Sequence, residues 1–181
     1  MTASTFYQDY IADDKLSPLS HRLLKEIEKE HPNHVLDFGC GSGKHLHSLN
    51  NAKITTIGID ISMMNIIRAK AKYELPCLVC SDETYLRNLV NIDVVFTCSV
   101  LDHIELVEEI IGEFKRICNK AVLLAETNDI PEKFYYPHNY ESYGFKKLHF
   151  EWKSDGDGAT YSIWKWIKGS DEVLKVNDDL A

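Results

Sequence analysis

The stretch Val35-Leu36-Asp37-Phe38-Gly39-Cys40-Gly41-Ser42-Gly43 decides how this chain is read. A short, mostly apolar run leads into a turn with glycine at every second position. A helix is expected next, from about Lys44 to Asn50. Glycine lets the backbone pass close to a ligand and take positive φ. The start of the following helix offers unpaired N–H groups. A dinucleotide site uses the same parts, so spacing and charge must separate the two. The dinucleotide fingerprint is G-x-G-x-x-G/A. Gly39 and Gly41 fit it, but its last position is Lys44, and the third glycine comes one residue early at Gly43. Asp37 also sets a negative charge at the strand end, where a pyrophosphate would lie. A ligand with cationic groups and no phosphate suits that charge, and NAD binding is not expected.

The D-x-G-x-G-x-G pattern from Asp37 to Gly43 resembles the first motif of class I S-adenosylmethionine-dependent methyltransferases. Their cofactor carries an ammonium and a sulfonium. Three further motifs follow in the family's order. Ile57-Gly58-Ile59-Asp60-Ile61-Ser62 is similar to the second strand, with its terminal acid. Leu78-Val79-Cys80-Ser81-Asp82 is similar to the third. The run from Ile92 to Ile104 is similar to the fourth strand and the loop after it.

The resemblance runs from about Val35 to Ile167 and implies a Rossmann-like, doubly wound α/β fold. Its sheet would be mostly parallel, closed by a C-terminal antiparallel hairpin, with S-adenosylmethionine as cofactor. It also implies cofactor contacts. Asp37, Gly39, Cys40, Gly41 and Gly43 would hold the methionine end. Asp60 would reach the ribose, since a carboxylate about 20 residues past the turn does so. Ile61 and Met64 would pack on adenine, and Asp82 would accept from its amino group, with Glu83 offering its backbone. Cys98 and Ser99 would pass near the methionine half. Structural alternatives stand beside these roles: Asp37 as a cap for backbone N–H groups, Asp60 as a helix N-cap, Asp82 as a turn carboxylate.

Methyl transfer needs few protein groups, because the sulfonium is already a strong electrophile. Holding the nucleophile in line can supply about 7–11 kcal/mol of the barrier. A hydroxyl or protonated amine acceptor also needs a base. His103, in the loop that the resemblance turns toward the methyl group, is the first candidate, since neutral imidazole accepts a proton near neutral pH. The alternatives are His103 as a cap for the following helix, and Asp102 as a rival base or helix-terminus charge. His138 is the second candidate base. It lies in the aromatic segment Phe134 to Phe145, which would supply a substrate wall suited to a sugar or small aromatic ring. Tyr140 and Phe145 could instead anchor a short helix on the sheet. Phe6, Tyr7 and Tyr10 sit in an N-terminal arm expected to close over the cofactor.

The chain has 181 residues and a formal net charge of -8, with no dense Lys/Arg run. Nucleic acid binding leans on phosphate neutralisation, so no nucleic-acid partner is expected. The five cysteines are an odd number and sit mainly in apolar runs, which fits reduced thiols in a cytoplasmic protein. Cys77-x-x-Cys80 has no second pair, so no metal site is expected. No signal pattern or membrane-spanning run is visible.

Helices are expected over Ser17 to His31, Lys44–Asn50, Met63–Tyr73, Tyr85–Leu89 and Leu106–Cys118. They alternate with strands Val35–Phe38, Thr55–Asp60, Cys77–Cys80, Val94–Thr97 and Ala121–Glu126. Two strand-like runs, Phe145–Lys153 and Ala159–Lys168, flank an Asp-Gly turn and predict the hairpin. The expected organisation is an arm and helix over 1–32 covering the cofactor, a catalytic domain over 33–168, and a polar tail over 169–181. The resemblance implies methyl transfer to a small-molecule acceptor, with an oxygen of a sugar or other metabolite as the first choice. Protein or peptide methylation, and a catalytically silent cofactor-binding partner subunit, are the alternatives. Oligomeric state is left open.

Overall fold

The computed structural model describes residues 12–13, 15–75, 77–127, 129, 135–155 and 158–170. Phe6, Tyr7, Tyr10, Pro76, Phe134, two residues of the hairpin turn (156–157) and tail residues 171–181 lie outside them.

The first described helix, α1, spans Pro18–Glu28. Ser17 caps it by accepting from the Ser20 N–H, and Pro18 fills the first position, where a missing N–H costs nothing. The helix ends three residues earlier than the pattern predicted, and His31 turns to positive φ before the first strand. Strand β1 (His34–Phe38) enters the glycine turn, and α2 (Lys44–Asn51) leaves it. Then come β2 (Thr55–Asp60), α3 (Met63–Tyr73) and β3 (Leu78–Cys80). After them come β4 (Ile92–Cys98), α4 (Glu108–Ile117) and β5 (Cys118–Thr127). The hairpin is β6 (Lys146–Lys153) and β7 (Thr160–Ile167).

The seven described strands join one sheet in the order β3-β2-β1-β4-β5-β7-β6. The first five pair in parallel, and β7 runs antiparallel to both β5 and β6. Alternate residues feed opposite faces, and both faces are covered. Leu36, Val95 and Val122 pack with Phe114 and Ile117 of α4. Val35, Val94, Phe96 and Leu123 pack with Leu19, Leu23 and Ile27 of α1. This double burial is why the strands read as nearly unbroken apolar runs.

Three local expectations change. The helix expected at Tyr85–Leu89 is a 3₁₀ turn, Glu83–Asn88. Arg116 of α4 donates to the carbonyls of Leu86 and Leu89, so they need no continuing helix. Strand β3 begins after Cys77, which is exposed. The expected break after α4 is absent. Cys118 turns straight from the helix into an extended conformation, φ -79° and ψ 138°. It pairs with Ile92, which lengthens both β4 and β5. The five cysteines are free thiols: Cys40 and Cys118 are buried and Cys80 and Cys98 half-buried. Burial pushes the Cys118 thiol up to about 11. No helix among the described residues is long and apolar enough to cross a membrane.

Candidate cofactor and active site

Strand order reverses at β1, between β2 and β4, and ligands of open α/β sheets sit outside the strand carboxyl ends at such a point. The glycine turn lies there. The N–H groups of Gly39 and Cys40 both donate to the Ile59 carbonyl of β2, at 2.8 and 2.9 Å. Gly39 has φ +77°, and a Cβ there would stand 2.3 Å from Val100 Cγ2 in the loop after β4. Gly41 has φ +51°, and its Cβ would meet Ala12 at 2.8 Å. A side chain at either position would break the close approach of the turn to its neighbours. The short N-terminal segment lies on the turn. The Ala12 N–H donates to Asn65 Oδ1 and Ser42 Oγ donates to the Asp13 carbonyl, at 3.1 and 3.0 Å.

The three acidic candidates differ sharply. Asp37 is 1% exposed, and neither carboxylate oxygen has a hydrogen-bond partner within the described protein. The His45 ring faces it, with Nδ1 3.7 Å from Oδ2, beyond hydrogen-bond length. Burial raises the Asp37 pKa, while His45 and Lys44 offset part of the rise. An orphaned buried carboxylate of this kind fits a cationic ligand. Asp60 is also buried, yet both its oxygens are engaged. Oδ2 accepts from the Gly41 N–H at 2.7 Å and Oδ1 from the Ser62 N–H at 2.8 Å. It braces the glycine turn against the start of α3, and further ligand contacts must use the remaining lone pairs. Asp82 is exposed and caps the 3₁₀ turn through Thr84, whose hydrogen bonds lower its pKa. Glu83 is the first residue of that turn and is exposed. Ile61 is half-buried, whereas Met64 stands 49% exposed on α3.

The β4 loop is held from beneath by a residue the sequence reading did not single out. Glu126, at the end of β5, is fully buried. It accepts from Thr97 Oγ1 at 2.5 Å, the Val100 N–H at 3.0 Å and the Asp102 N–H at 3.3 Å. Burial raises its pKa against those donors. Its signal in the sequence was a lone acid ending the apolar run Ala121-Val122-Leu123-Leu124-Ala125. Cys98 and Ser99 are half-buried at the strand end, and burial raises the Cys98 thiol. Ser99 takes φ +57°, uncommon for a non-glycine residue, and its hydroxyl lies 3.4 Å from that of Tyr161 in β7.

His103 and Asp102 form a pair in the loop, with Nε2 3.5 Å from Oδ1. Asp102 is fully buried and the His103 side chain 13% exposed. Tyr135 meets the His103 ring edge-on at 4.6 Å. His138 reaches the same loop from the other side. Its Nε2 lies 3.0 Å from the Leu101 carbonyl and 2.9 Å from the Ile104 carbonyl. Two acceptors require a proton on that nitrogen, so His138 acts on the loop as a donor. Tyr140 and Phe145 are buried among the core aromatics, as the anchoring alternative expected. Two surface depressions, of about 420 and 550 Å³, lie beside α1 and beside Pro137–Glu141. Neither borders the glycine turn, and neither gathers buried polar groups as the strand ends do.

A family profile described as a methyltransferase domain matches residues 36–125. A search of curated protein sequences gives no match. Among solved structures, the chain is similar to magnesium protoporphyrin IX methyltransferase from Synechocystis PCC 6803 with bound S-adenosylhomocysteine. Identity is 15%, the match covers 93% of this chain and 100% of that one, and the TM-score is 0.71. It is also similar to the N-methyltransferase NodS from Bradyrhizobium japonicum WM9 in complex with S-adenosylhomocysteine. There identity is 10%, coverage again 93% and 100%, and the TM-score 0.74. Residues 36–125 belong to the methyltransferase domain family, and the seven-stranded sheet that carries them is the class I S-adenosylmethionine-dependent methyltransferase fold.

Proposed function

We propose that this protein transfers the methyl group of S-adenosylmethionine to an oxygen of a small-molecule acceptor, with His103 as the base. The observation that carries the cofactor site is Asp37, a buried carboxylate beside the glycine turn with no hydrogen bond among the described residues. S-adenosylmethionine supplies an electrophilic methyl on a sulfonium, which leaves as a neutral thioether. Asp37 faces its ammonium, with Gly39, Cys40, Gly41 and Gly43 giving close backbone approach. Asp60 reaches the ribose with the lone pairs left by Gly41 and Ser62. Ile61, Met64, Asp82 and Glu83 border the adenine, and Cys98 and Ser99 the methionine chain.

As the acceptor oxygen bonds to the methyl carbon, its proton passes to His103. Asp102, 3.5 Å from Nε2, stabilises the imidazolium that forms. His138 holds the loop through its Nε2–H and so keeps His103 in place. Tyr135 and Tyr136 form the acceptor wall.

The test is methyl transfer from labelled S-adenosylmethionine to panels of metabolites and of peptides, with wild type and His103→Ala. A hydroxyl metabolite should become labelled. His103→Ala should lower turnover by about 10²–10⁴-fold while cofactor affinity stays near wild type. Full activity with a lowered melting temperature would make His103 structural. Labelling confined to peptides would replace the small-molecule reading.

A further inference from the structure

We infer that His45 is a positioning residue for cofactor binding, orienting the Asp37 carboxylate and tying it to the seating of α1. The inference rests on Asp37 being the carboxylate that faces the cofactor. Ser20, His45 and Asp37 come from α1, α2 and β1, and are 1%, 5% and 1% exposed. The ring Nε2 lies 2.9 Å from Ser20 Oγ, and Nδ1 faces Asp37 Oδ2 at 3.7 Å. Ser20 Oγ lies 3.2 Å from the hydroxyl of Ser17, the cap of α1. Phe96 meets the ring edge-on at 5.8 Å.

The chemistry follows from that order. With the Ser20 hydroxyl donating to Nε2, the imidazole proton sits on Nδ1, aimed at Asp37. Among the described residues this N–H faces one of the two carboxylate oxygens, Oδ2. Oδ2 is drawn toward the ring, and Oδ1 is left for the ligand's cation. The gap of 3.7 Å closes when the cation arrives and Asp37 is fully ionised, as site hydrogen bonds commonly tighten on ligand binding. A carboxylate without this guide would rotate or hold a proton, and the cofactor would have to overcome both. The Asp37 carboxylate only accepts and so favours the proton on Nδ1, and the Ser20 hydroxyl, which can donate to Nε2, completes that tautomer from α1.

Two substitutions separate guidance from packing. Asparagine can place an amide near the position of Nδ1 but cannot reach Ser20, whereas glutamine can reach Ser20 but not Asp37. S-adenosylhomocysteine affinity by calorimetry and melting temperature are read on the same preparations. His45→Asn should bind within about threefold of wild type despite a lower melting temperature. His45→Gln should bind roughly tenfold more weakly, about 1.4 kcal/mol, with the smaller thermal loss. Ser20→Ala, one oxygen removed at a distance from the cofactor, should also weaken binding. Wild-type affinity in His45→Gln, or equal losses in both His45 variants, overturns the inference. Asp37→Asn tells the two failures apart. If it binds as wild type does, the Asp37 reading has failed and the inference falls with it. If it binds weakly while the His45 variants match each other, only the role of His45 has failed.

Discussion

A carboxylate kept at 1% exposure with no hydrogen bond to either oxygen destabilises the protein that holds it, and among the described residues Asp37 is such a group. Burial raises its pKa above the ordinary 3.8, and His45 and Lys44 only soften the rise. In the unliganded protein the folded state therefore holds more protons than the unfolded state between those two values. Stability falls as pH rises through that window. With the cofactor ammonium seated at Asp37 as proposed, binding has the opposite sign, because an ammonium favours the ionised carboxylate. Below the raised pKa, binding must release a proton, so affinity falls as the medium is acidified. Asp37→Asn should raise the melting temperature of the free protein by about 2–4 °C. It should weaken cofactor binding by roughly tenfold or more, the loss of a charge-assisted contact. Its affinity should also lose most of the acid dependence shown by wild type, though Asp60, whose pKa burial also raises, keeps a part. Calorimetric titration from mildly acidic to neutral pH on both proteins checks the sign and the assignment together.

At the scale of elements, Glu126 ties β5 to β4 and the loop after it. Glu126, next to last in β5, accepts from Thr97 Oγ1 and from the N–H groups of Val100 and Asp102. Glutamine there keeps one acceptor oxygen and turns an NH₂ toward donors. Glu126→Gln should cost about 1–3 kcal/mol of stability, the usual range for a buried donor left unpaired. Amide exchange should speed up at Val100 and Asp102 more than in the sheet interior. Equal protection in mutant and wild type would mean that the loop is fixed without Glu126. The same loop presses Val100 onto Gly39, where a Cβ would stand 2.3 Å from Val100 Cγ2 at φ +77°. Gly39→Ala should cost at least about 1–3 kcal/mol, because it combines overpacking with backbone strain. Chemical denaturation should show a lower midpoint with an unchanged slope.

For the whole molecule, the switch point at β1 gathers the glycine turn, the β2 end and the β4 loop at one rim of the sheet. A ligand seated there bridges elements far apart in sequence and should stabilise them as a unit. S-adenosylhomocysteine should raise the melting temperature in step with its concentration, by about 2.7 kcal/mol at a hundredfold excess over Kd. NAD should leave it unchanged, since the proposed site sets the Asp37 charge where a pyrophosphate would lie. Equal stabilisation by NAD would sink the cofactor assignment.

The sequence by itself determined the β-α alternation, the hairpin and the place of the glycine turn. These are local signals: Ser17-Pro18 before a periodic apolar stripe, glycine at every second position after β1, and an Asp-Gly turn between two β-rich runs. The limits of α3 and β2 came out as read, because Ser62 and Asp60 close them within a few residues. Tertiary structure decided what each acid does. Asp37, Asp60 and Asp82 look alike as acids near strand ends, yet one is an orphan, one braces backbone N–H groups and one caps an exposed turn. The difference lies in desolvation and in partners distant along the chain. Ser20 reaching His45 and Glu126 reaching Val100 are contacts that no periodicity or spacing encodes. The 3₁₀ turn at Glu83–Asn88 likewise depended on Arg116, which arrives only when α4 packs against it.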